Sequence, residues 1–218
     1  DEFPQSIMLD PEQLMPFVRV NKLGKRFTPE YDPYGQLAMA IQYQPGTYDF
    51  YIVDSALDTK IDKIWTPSSS CYGPKEHWVA SAQSENAFKA DTLEELAELM
   101  EVPADTFVET INHWNEMCAA GADTDFDMPG SMMMTIDQQP FYATKEFADG
   151  LCTTGGLIVD TECRVLDKDR QPIEGLFAAG IVSGGMFYNT YPHHLNCLSH
   201  TRNCLMGYTI GQVLGAKQ

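Results

Sequence analysis

The closing segment, residues 175–215, restricts the fold of this chain more than any other stretch. Its run LFAAGIV is apolar and small, which predicts a buried strand that leads into a glycine turn. From Leu195 onward apolar residues recur at helical spacing, and they predict one long closing helix. The loop between them carries the adjacent His193 and His194. The segment therefore predicts a strand, a loop with groups that move protons or bind metals, and a long helix.

The preceding residues alternate β-branched or aromatic runs with two clear helical patterns. An Asp or Thr cap opens the first helix, whereas Pro103 opens the second, which stops at Gly121. Near the start of the chain we expect a hairpin with a basic tip, whose second strand begins at Arg26 and Phe27. A weak helix is expected at residues 36–44, and further strands at 48–54 and 140–147. The sequence predicts an α+β chain.

Composition excludes some partners. The formal charge is −17, from 31 acidic and 14 basic residues, and such a chain repels phosphate backbones, so nucleic acid is not an expected partner. Its apolar runs are short of the roughly 20 residues that span a bilayer, so we expect no membrane insertion. The six cysteines are widely spaced and are expected to be free thiols. The chain begins at Asp1 without a leader pattern, and its compartment is not predicted.

A metal site is one reading of the closing helix. His194, Cys197, His200 and Cys204 follow one another at intervals of three, three and four residues, which places them on one stripe of a helix. At about 1.5 Å per residue the stripe is about 15 Å long, so one straight helix cannot close a tetrahedron around an ion. We expect no metal, and a small metal-binding domain remains an alternative.

Three blocks of the sequence resemble one flavoprotein superfamily. They are VNKLGKRFTPE (20–30), DTLEELAELMEVPADTFVETINHWNEMCAAGADTDF (91–126) followed by PFYA, and TTGGLIVDTECRVLDKDRQPIEGLFAAG (153–180). In this order they resemble the superfamily that contains the flavoprotein subunits of fumarate reductase and succinate dehydrogenase, urocanate-type reductases and 3-ketosteroid dehydrogenases. The resemblance implies an FAD-dependent oxidoreductase. Arg26 lies in a motif shared across the superfamily, and we expect it to have a structural role and to pair with an acid such as Glu30.

The resemblance also implies a domain organisation. Residues 1–148 are expected to form a capping domain with a helical pair and a small sheet, and residues 149–218 the C-terminal segment of an α/β FAD-binding domain. The family's first βαβ unit carries a G-x-G-x-x-G turn that binds the FAD pyrophosphate. The sequence contains no such motif. We therefore expect the chain to be the second half of such a protein, which needs its N-terminal FAD-binding half to hold the cofactor.

Two groups of residues are implied to face FAD. Gly155, Gly156, Ala179 and Gly180 would let backbone approach the flavin, although glycine and alanine at these places also serve strand–helix packing. The start of the closing helix, at Asn196, Cys197, Leu198 and Ser199, would direct amide dipoles at the pyrimidine edge of the ring. In this family the cofactor exchanges a hydride at its N5 atom, and the protein supplies orientation and a proton.

Proton handling is expected from residues of the loop. Tyr191 stands where the steroid dehydrogenases have a tyrosine, and His193 or His194 is suited to proton transfer because the unperturbed pKa of histidine is about 6.5. Tyr34 takes the place of the arginine acid of fumarate reductases. These four side chains have alternative roles as loop or packing residues.

The substrate is expected to be a small organic molecule with an activated C=C or C–C bond. Fumarate reductases bind the substrate carboxylates through a histidine and an arginine, and both are absent from this sequence. Leu151 and Cys152 stand in the place of the histidine, and His193 and His194 stand in the place of the arginine. A dicarboxylate needs bidentate partners, so neutral or enone-like substrates are favoured. A non-catalytic capping or binding module is the alternative function.

Overall fold

The computed structural model describes residues 17–30, 34–62, 76, 79–80, 83–85, 87–148, 153–187 and 197–216. Its contacts divide the chain into two compact units, Asp1–Ala148 (the N-terminal unit) and Asp149–Gln218 (the C-terminal unit). The helices are α1 (Tyr34–Gln42), α2 (Leu57–Ile61), α3 (Leu93–Met100), α4 (Ala104–Ala120) and α5 (Leu198–Gly215). The strands are β1 (Arg19–Asn21), β2 (Tyr48–Asp54), β3 (Phe88–Ala90), β4 (Phe141–Phe147), β5 (Arg164–Leu166) and β6 (Pro172–Phe177). The chain is an α+β protein, as predicted.

An antiparallel sheet with the order β1-β2-β4-β3 forms the centre of the N-terminal unit. The two longest strands pair along their whole length, from Tyr48 opposite Phe147 to Asp54 opposite Phe141. Their aromatic and β-branched residues favour the pleated backbone, and six of the seven residues of β2 are buried. The strands predicted at 48–54 and 140–147 and the helix predicted near 36–44 are confirmed.

The predicted helical pair packs on this sheet. Thr92 caps α3, because its hydroxyl accepts a hydrogen bond of 3.1 Å from the backbone amide of Glu95. Helix α4 ends at Gly121, whose φ of +69° lies in the left-handed region that favours glycine. Trp114 is fully buried, and its Nε1 donates to the carbonyl of Met134 at 2.8 Å. The predicted start of α3 and the predicted end of α4 are confirmed.

The hairpin expected near the start of the chain is wrong in its second strand. β1 ends at Asn21, and residues 25–27 are irregular. The turn lies instead against α4: a Cβ on Gly24 would come 3.0 Å from the amide nitrogen of Phe107, and the Thr110 hydroxyl donates to the Gly24 carbonyl at 2.7 Å. Packing of this turn on the helix replaces strand pairing.

The C-terminal unit contains the β5–β6 hairpin and α5. The buried strand expected at residues 176–182 is wrong, because β6 ends at Phe177 and is exposed along its length. Gly180–Val182 forms a 3-10 turn, since Gly180 has a φ of +72°, which a strand does not accommodate. Among its described residues this unit buries Cys163, Val165, Ala178 and Ser183.

The long closing helix is confirmed as α5. It has no buried residue, and it exposes large apolar side chains: Leu205 (63%), Tyr208 (65%) and Leu214 (45%). In the described part of the chain, no helix has the length and apolar character required to cross a membrane.

Candidate functional site

Residues 178–184, named here the glycine turn, lie against the backbone of residues 156–157. The Leu157 amide donates to the Val182 carbonyl at 2.8 Å, and the Gly184 amide donates to the Leu157 carbonyl at 2.9 Å. A Cβ on Gly156 would come 2.5 Å from the Val182 oxygen and 2.7 Å from the Gly184 nitrogen. Only glycine fits at position 156, so the structure brings this predicted residue directly to the turn.

The other predicted glycine and alanine positions differ from one another. Ala179 is extended and half-buried, and Gly180 follows it in the left-handed region. A Cβ on Gly180 would lie 3.4 Å from the Asn203 side chain of α5. Gly155 is exposed, and a Cβ there would have no heavy atom within 4 Å. Glycine is therefore required at position 156 because a side chain would clash, and it is favoured at position 180 because of the positive φ. Neither reason applies at position 155.

The start of α5 presents backbone donors. Cys197 precedes the helix in the left-handed conformation with a φ of +61°, and its side chain is exposed. The first helical hydrogen bond runs from the Thr201 amide to the Cys197 carbonyl at 2.8 Å. The amides of residues 198–200 come before it, in the part of a helix whose N–H groups have no carbonyl partner within the helix. Leu198 and Ser199 are half-buried.

A residue that the sequence prediction missed connects the glycine turn with α5. Arg202, in the second turn of the helix, donates to the carbonyls of Gly180 (3.1 Å) and Ser183 (2.8 Å). It also donates to the Ser183 hydroxyl at 2.7 Å. A signal was present in the sequence: Arg202 is the only Asp, Glu, Lys or Arg among residues 175–216. The turn and the start of the helix are thus neighbours.

The structure does not describe the side chains of the predicted proton-handling residues. Tyr191, His193 and His194 lie outside the described residues, as does the cofactor-binding candidate Asn196. Tyr34 begins α1, and its side chain is outside the described part of the structure. Their roles stay predictions.

The surface around the glycine turn fits FAD. The backbone at Gly156 and Gly180 carries no side chain. Exposed apolar side chains flank it, namely Leu157 (43%), Ile158 (46%), Ile181 (44%) and Val182 (55%). A flat tricyclic ring needs an apolar wall that lets it approach backbone, and its polar edge needs donors such as those at the start of α5. The residues present would therefore provide both kinds of contact.

A cluster of charged side chains is buried in the N-terminal unit. Arg19 donates to Asp49 at 2.7 Å and to Glu146 at 2.6 Å, and none of the three is more than 8% exposed. Burial raises the pKa of Asp49 to about 6; Arg19 opposes this rise and the nearby Glu146 adds to it. One guanidinium thus faces two carboxylates, and Asp49 binds a proton more readily than an exposed aspartate does.

A second buried arginine joins the same region. Arg26 bonds Glu30 at 2.6 and 2.8 Å, which confirms the predicted pairing, and its guanidinium carbon lies 4.7 Å from the ring centre of Trp114. Glu30 also accepts from the Arg19 amide at 3.2 Å. Burial raises the pKa of Glu30 above its ordinary value. These contacts hold the turn after β1 against α4, and they give Arg26 the structural role expected of it.

Potential metal ligands are not gathered in the described residues. There, no group of three or more His, Cys, Asp or Glu side chains is arranged to hold an ion. Cys118, Cys163, Cys197 and Cys204 are free thiols, as predicted, and Cys71 and Cys152 lie outside the described residues.

Comparisons with known proteins identify the family. A model of the FAD binding domain family matches residues 16–198. Vinyl phenol reductase of Lactiplantibacillus plantarum is 40% identical over 104 residues, 48% of this chain and 21% of that protein. 3-Oxosteroid 1-dehydrogenase of Mycolicibacterium smegmatis is 40% identical over 119 residues, again 48% of this chain and 21% of that protein. The open conformation of a flavocytochrome c3 fumarate reductase aligns with a TM-score of 0.64 and 31% identity, covering 90% of this chain and 32% of that structure.

The chain spans about a fifth of the length of the two curated relatives and about a third of the solved structure. The matches confirm the resemblance drawn from the three sequence blocks, and they support FAD as the cofactor. Because the family model covers most of its length, the chain belongs to the FAD binding domain family, together with flavoproteins such as fumarate reductase and 3-oxosteroid 1-dehydrogenase.

Proposed function

We propose that this chain is the capping domain and the closing part of the FAD-binding domain of an oxidoreductase. The enzyme reduces or dehydrogenates an activated C=C or C–C bond of a small organic molecule. When bound, FAD supplies hydride transfer at N5. The observation that carries the proposal is the link between the glycine turn and the start of α5, in a chain whose family model covers both up to residue 198.

The proposal includes an N-terminal FAD-binding part that this chain does not provide. Three observations support it: the sequence has no G-x-G-x-x-G motif, the relatives are more than twice as long, and α5 leaves large apolar side chains uncovered. A dinucleotide turn is the element that binds pyrophosphate in such folds. We therefore assign residues 1–148 to the capping domain and 149–218 to the completion of the FAD-binding domain.

Within this enzyme the glycine turn, with Gly155, Gly156, Ala179 and Gly180, forms a wall against the flavin. Residues 196–199 direct backbone donors at its pyrimidine edge, where they stabilise negative charge. Donors fixed in advance by the fold need no reorganisation when that charge develops, so they lower the barrier of the redox step.

Proton transfer is assigned to the loop before α5. Tyr191 polarises the substrate or moves a proton, and His193 or His194 exchanges a proton near neutral pH. Tyr34 is the weaker candidate from the capping domain. Hydride transfer to one carbon of the C=C bond leaves the substrate charged, so a protein group must supply a proton to the neighbouring carbon. In the dehydrogenation direction the same group removes that proton.

The substrate is proposed to be neutral or enone-like. The positions where fumarate reductases bind carboxylates hold Leu151, Cys152, His193 and His194, which give no bidentate cation. Similarity to a vinyl phenol reductase and a 3-oxosteroid dehydrogenase is consistent with substrates lacking a pair of carboxylates.

Reoxidation of the reduced flavin tests this assignment. The chain is joined to its N-terminal FAD-binding part, reduced, and mixed with fumarate, urocanate, a cinnamate-like acid or an enone steroid. We expect the neutral or enone substrates to reoxidise the flavin. Rapid turnover of fumarate would contradict the substrate assignment.

Variants of the same protein test the proton-handling residues. Tyr191→Phe, His193→Ala and His194→Ala are each compared with Tyr43→Phe, a change at a tyrosine that is 86% exposed. We expect at least one loop variant to lose about 100-fold in turnover while its FAD content stays the same, since general acid–base catalysis contributes about this much. Normal turnover in all three would remove the assignment.

A non-catalytic capping module is the second candidate. It is favoured by the absence of a dinucleotide turn from the sequence. If the joined protein binds FAD but reoxidises with none of the acceptors, this candidate is preferred.

A further inference from the structure

Arg202 makes its contacts with uncharged groups. Its guanidinium donates to the carbonyls of Gly180, Ser183 and, more distantly at 3.4 Å, Gly184, and to the Ser183 hydroxyl. That hydroxyl in turn donates to the Gly180 carbonyl at 2.7 Å. Three carbonyls and one hydroxyl of the same turn therefore surround one rigid fork of donors.

Such a contact fixes geometry. A guanidinium offers five N–H donors in a plane, so several acceptors must keep definite positions to bind it together. Ser183, which receives two of the bonds, is 2% exposed, and on its other side the turn is bound to Leu157 by backbone hydrogen bonds. The turn is thus held between residues 156–157 and the second helical turn of α5.

The helix depends strongly on this contact, because it buries no residue of its own. Among the described residues, its other hydrogen bonds with the rest of the unit involve sulfur and are longer. The Ser183 hydroxyl donates to the Met206 sulfur at 3.6 Å, and the Cys163 thiol donates to the Met206 carbonyl at 3.9 Å. The start of α5 lies one helical turn before Arg202. The position of the guanidinium therefore sets where residues 197–199 stand relative to Ala179 and Gly180.

We propose that Arg202 is a positioning residue for the flavin site. It holds the glycine turn and the start of α5 at a fixed separation. The small residues of the turn and the backbone amides at the start of the helix can therefore contact the same flavin. This inference rests on the proposed function. Arg202 does not itself touch the cofactor in this account; it acts through the carbonyls of the turn and through its own helix.

Hydrogen exchange in the 218-residue chain tests the positioning without FAD. Arg202→Met is compared with Arg164→Met, a matched change at an arginine that is 39% exposed and pairs with Asp160 in the same unit. We expect the amides of Ser183, Gly184 and Thr201 to exchange at least tenfold faster in Arg202→Met than in either the wild type or the control. Amides of the hairpin, such as those of Leu166 and Asp167, should keep their rates. Arg202→Lys should restore part of the protection, because an ammonium group still donates to two or three acceptors.

Exchange rates within twofold of the wild type at these amides would overturn the proposal. Equal acceleration of the hairpin amides would also overturn it, since Arg202 would then support the whole unit and not this separation. The result does not depend on cofactor binding.

FAD affinity in the protein joined to its N-terminal part separates positioning from local stability. We expect Arg202→Met to weaken FAD binding at least tenfold and to shift the flavin absorbance bands, while Arg164→Met leaves both unchanged. Faster exchange with unchanged affinity would show a purely structural role and overturn the inference. Failure of the wild type to bind FAD would instead contradict the proposed function, and the exchange comparison would still decide whether Arg202 fixes the turn against the helix.

Discussion

Arg26 and Asp123 meet across 97 residues of sequence in a bidentate pair, with bonds of 2.7 Å (Nη1 to Oδ1) and 2.6 Å (Nη2 to Oδ2). Asp123 also accepts hydrogen bonds from the backbone amides of Asp125, Phe126 and Met128. One carboxylate thus shapes the loop after α4 and ties it to the turn after β1. Burial acts to raise the pKa of Asp123, but the hydrogen bonds from Arg26 outweigh it and hold the pKa at about 2.

Replacing Arg26 by lysine is expected to destabilise the N-terminal unit by about 3 kcal/mol, because a buried carboxylate loses its bidentate partner. The matched change Arg164→Lys, at an ion pair that solvent screens, is expected to have a much smaller effect on stability. Urea unfolding measures both values. Equal effects of the two changes would contradict the structural role of Arg26.

The stability of the N-terminal unit should have a maximum near pH 4 to 5. The folded-state pKa of Asp49, about 6, lies above the unfolded value of about 3.9, so folding binds a proton and stability falls as pH rises from about 4 to 6. For Asp123 the folded-state pKa of about 2 lies below the unfolded value, so its contribution is lost as pH falls from about 4 to 2.

Urea unfolding between pH 3 and pH 8 measures this profile. We expect the wild type to lose on the order of 2 kcal/mol between pH 4.5 and pH 7. Asp49→Asn should reduce that slope, whereas Asp58→Asn, at an exposed position on α2, should keep it. A wild type that is more stable at pH 7 than at pH 5 would contradict the raised pKa of Asp49.

Gly156→Ala and Gly155→Ala form a matched pair at adjacent positions. The first would press a Cβ to within 2.5 Å of the Val182 oxygen and 2.7 Å of the Gly184 nitrogen, while the second meets open space. Because backbone atoms cannot move aside easily, we expect Gly156→Ala to cost about 1–3 kcal/mol and Gly155→Ala close to nothing. Thermal unfolding monitors the change, and similar midpoints for the two variants would contradict the close approach of the turn to residue 156.

Thiol labelling reports whether α5 is covered in the complete enzyme. Cys197 and Cys204 are exposed, whereas Cys163 is buried and burial raises its pKa. Burial also raises the pKa of Cys118, to about 12. Mass spectrometry of the alkylated chain should therefore find Cys197 and Cys204 labelled before Cys118 and Cys163. In the joined, FAD-loaded protein we expect Cys204 to be protected; unchanged labelling there would show that the proposed N-terminal part does not cover this helix.

Local patterns predicted the regular elements well. The caps at Thr92 and Gly121 and the β-branched run of β2 specify their own conformations, so helices and strands were found from short windows of sequence. Arg26 was read as structural for the same reason, since its partner Glu30 lies only four residues away.

Long-range pairs were not predictable in this way. Nothing local distinguishes Asp49 or Glu146 from surface acids, although they face Arg19 across 30 and 127 residues. The apolar composition of LFAAGIV predicted burial, but burial depends on what covers a segment, and the described residues leave Ile181 and Val182 exposed. Arg202 was missed because an arginine in a helix is usually a solvated residue; its isolation in an otherwise uncharged segment was the available signal.

The most direct measurement of the central claim is flavin absorbance of two purified proteins, this chain alone and the chain joined to its N-terminal FAD-binding part. We predict that the chain alone is colourless and that the joined protein carries about one FAD, with an affinity that Gly180→Val lowers at least tenfold and Arg164→Met, at a residue of β5 that pairs with Asp160, leaves unchanged. A joined protein that folds but stays colourless, or one that binds FAD equally well with valine at position 180, would contradict the claim that the glycine turn and the start of α5 form the flavin site.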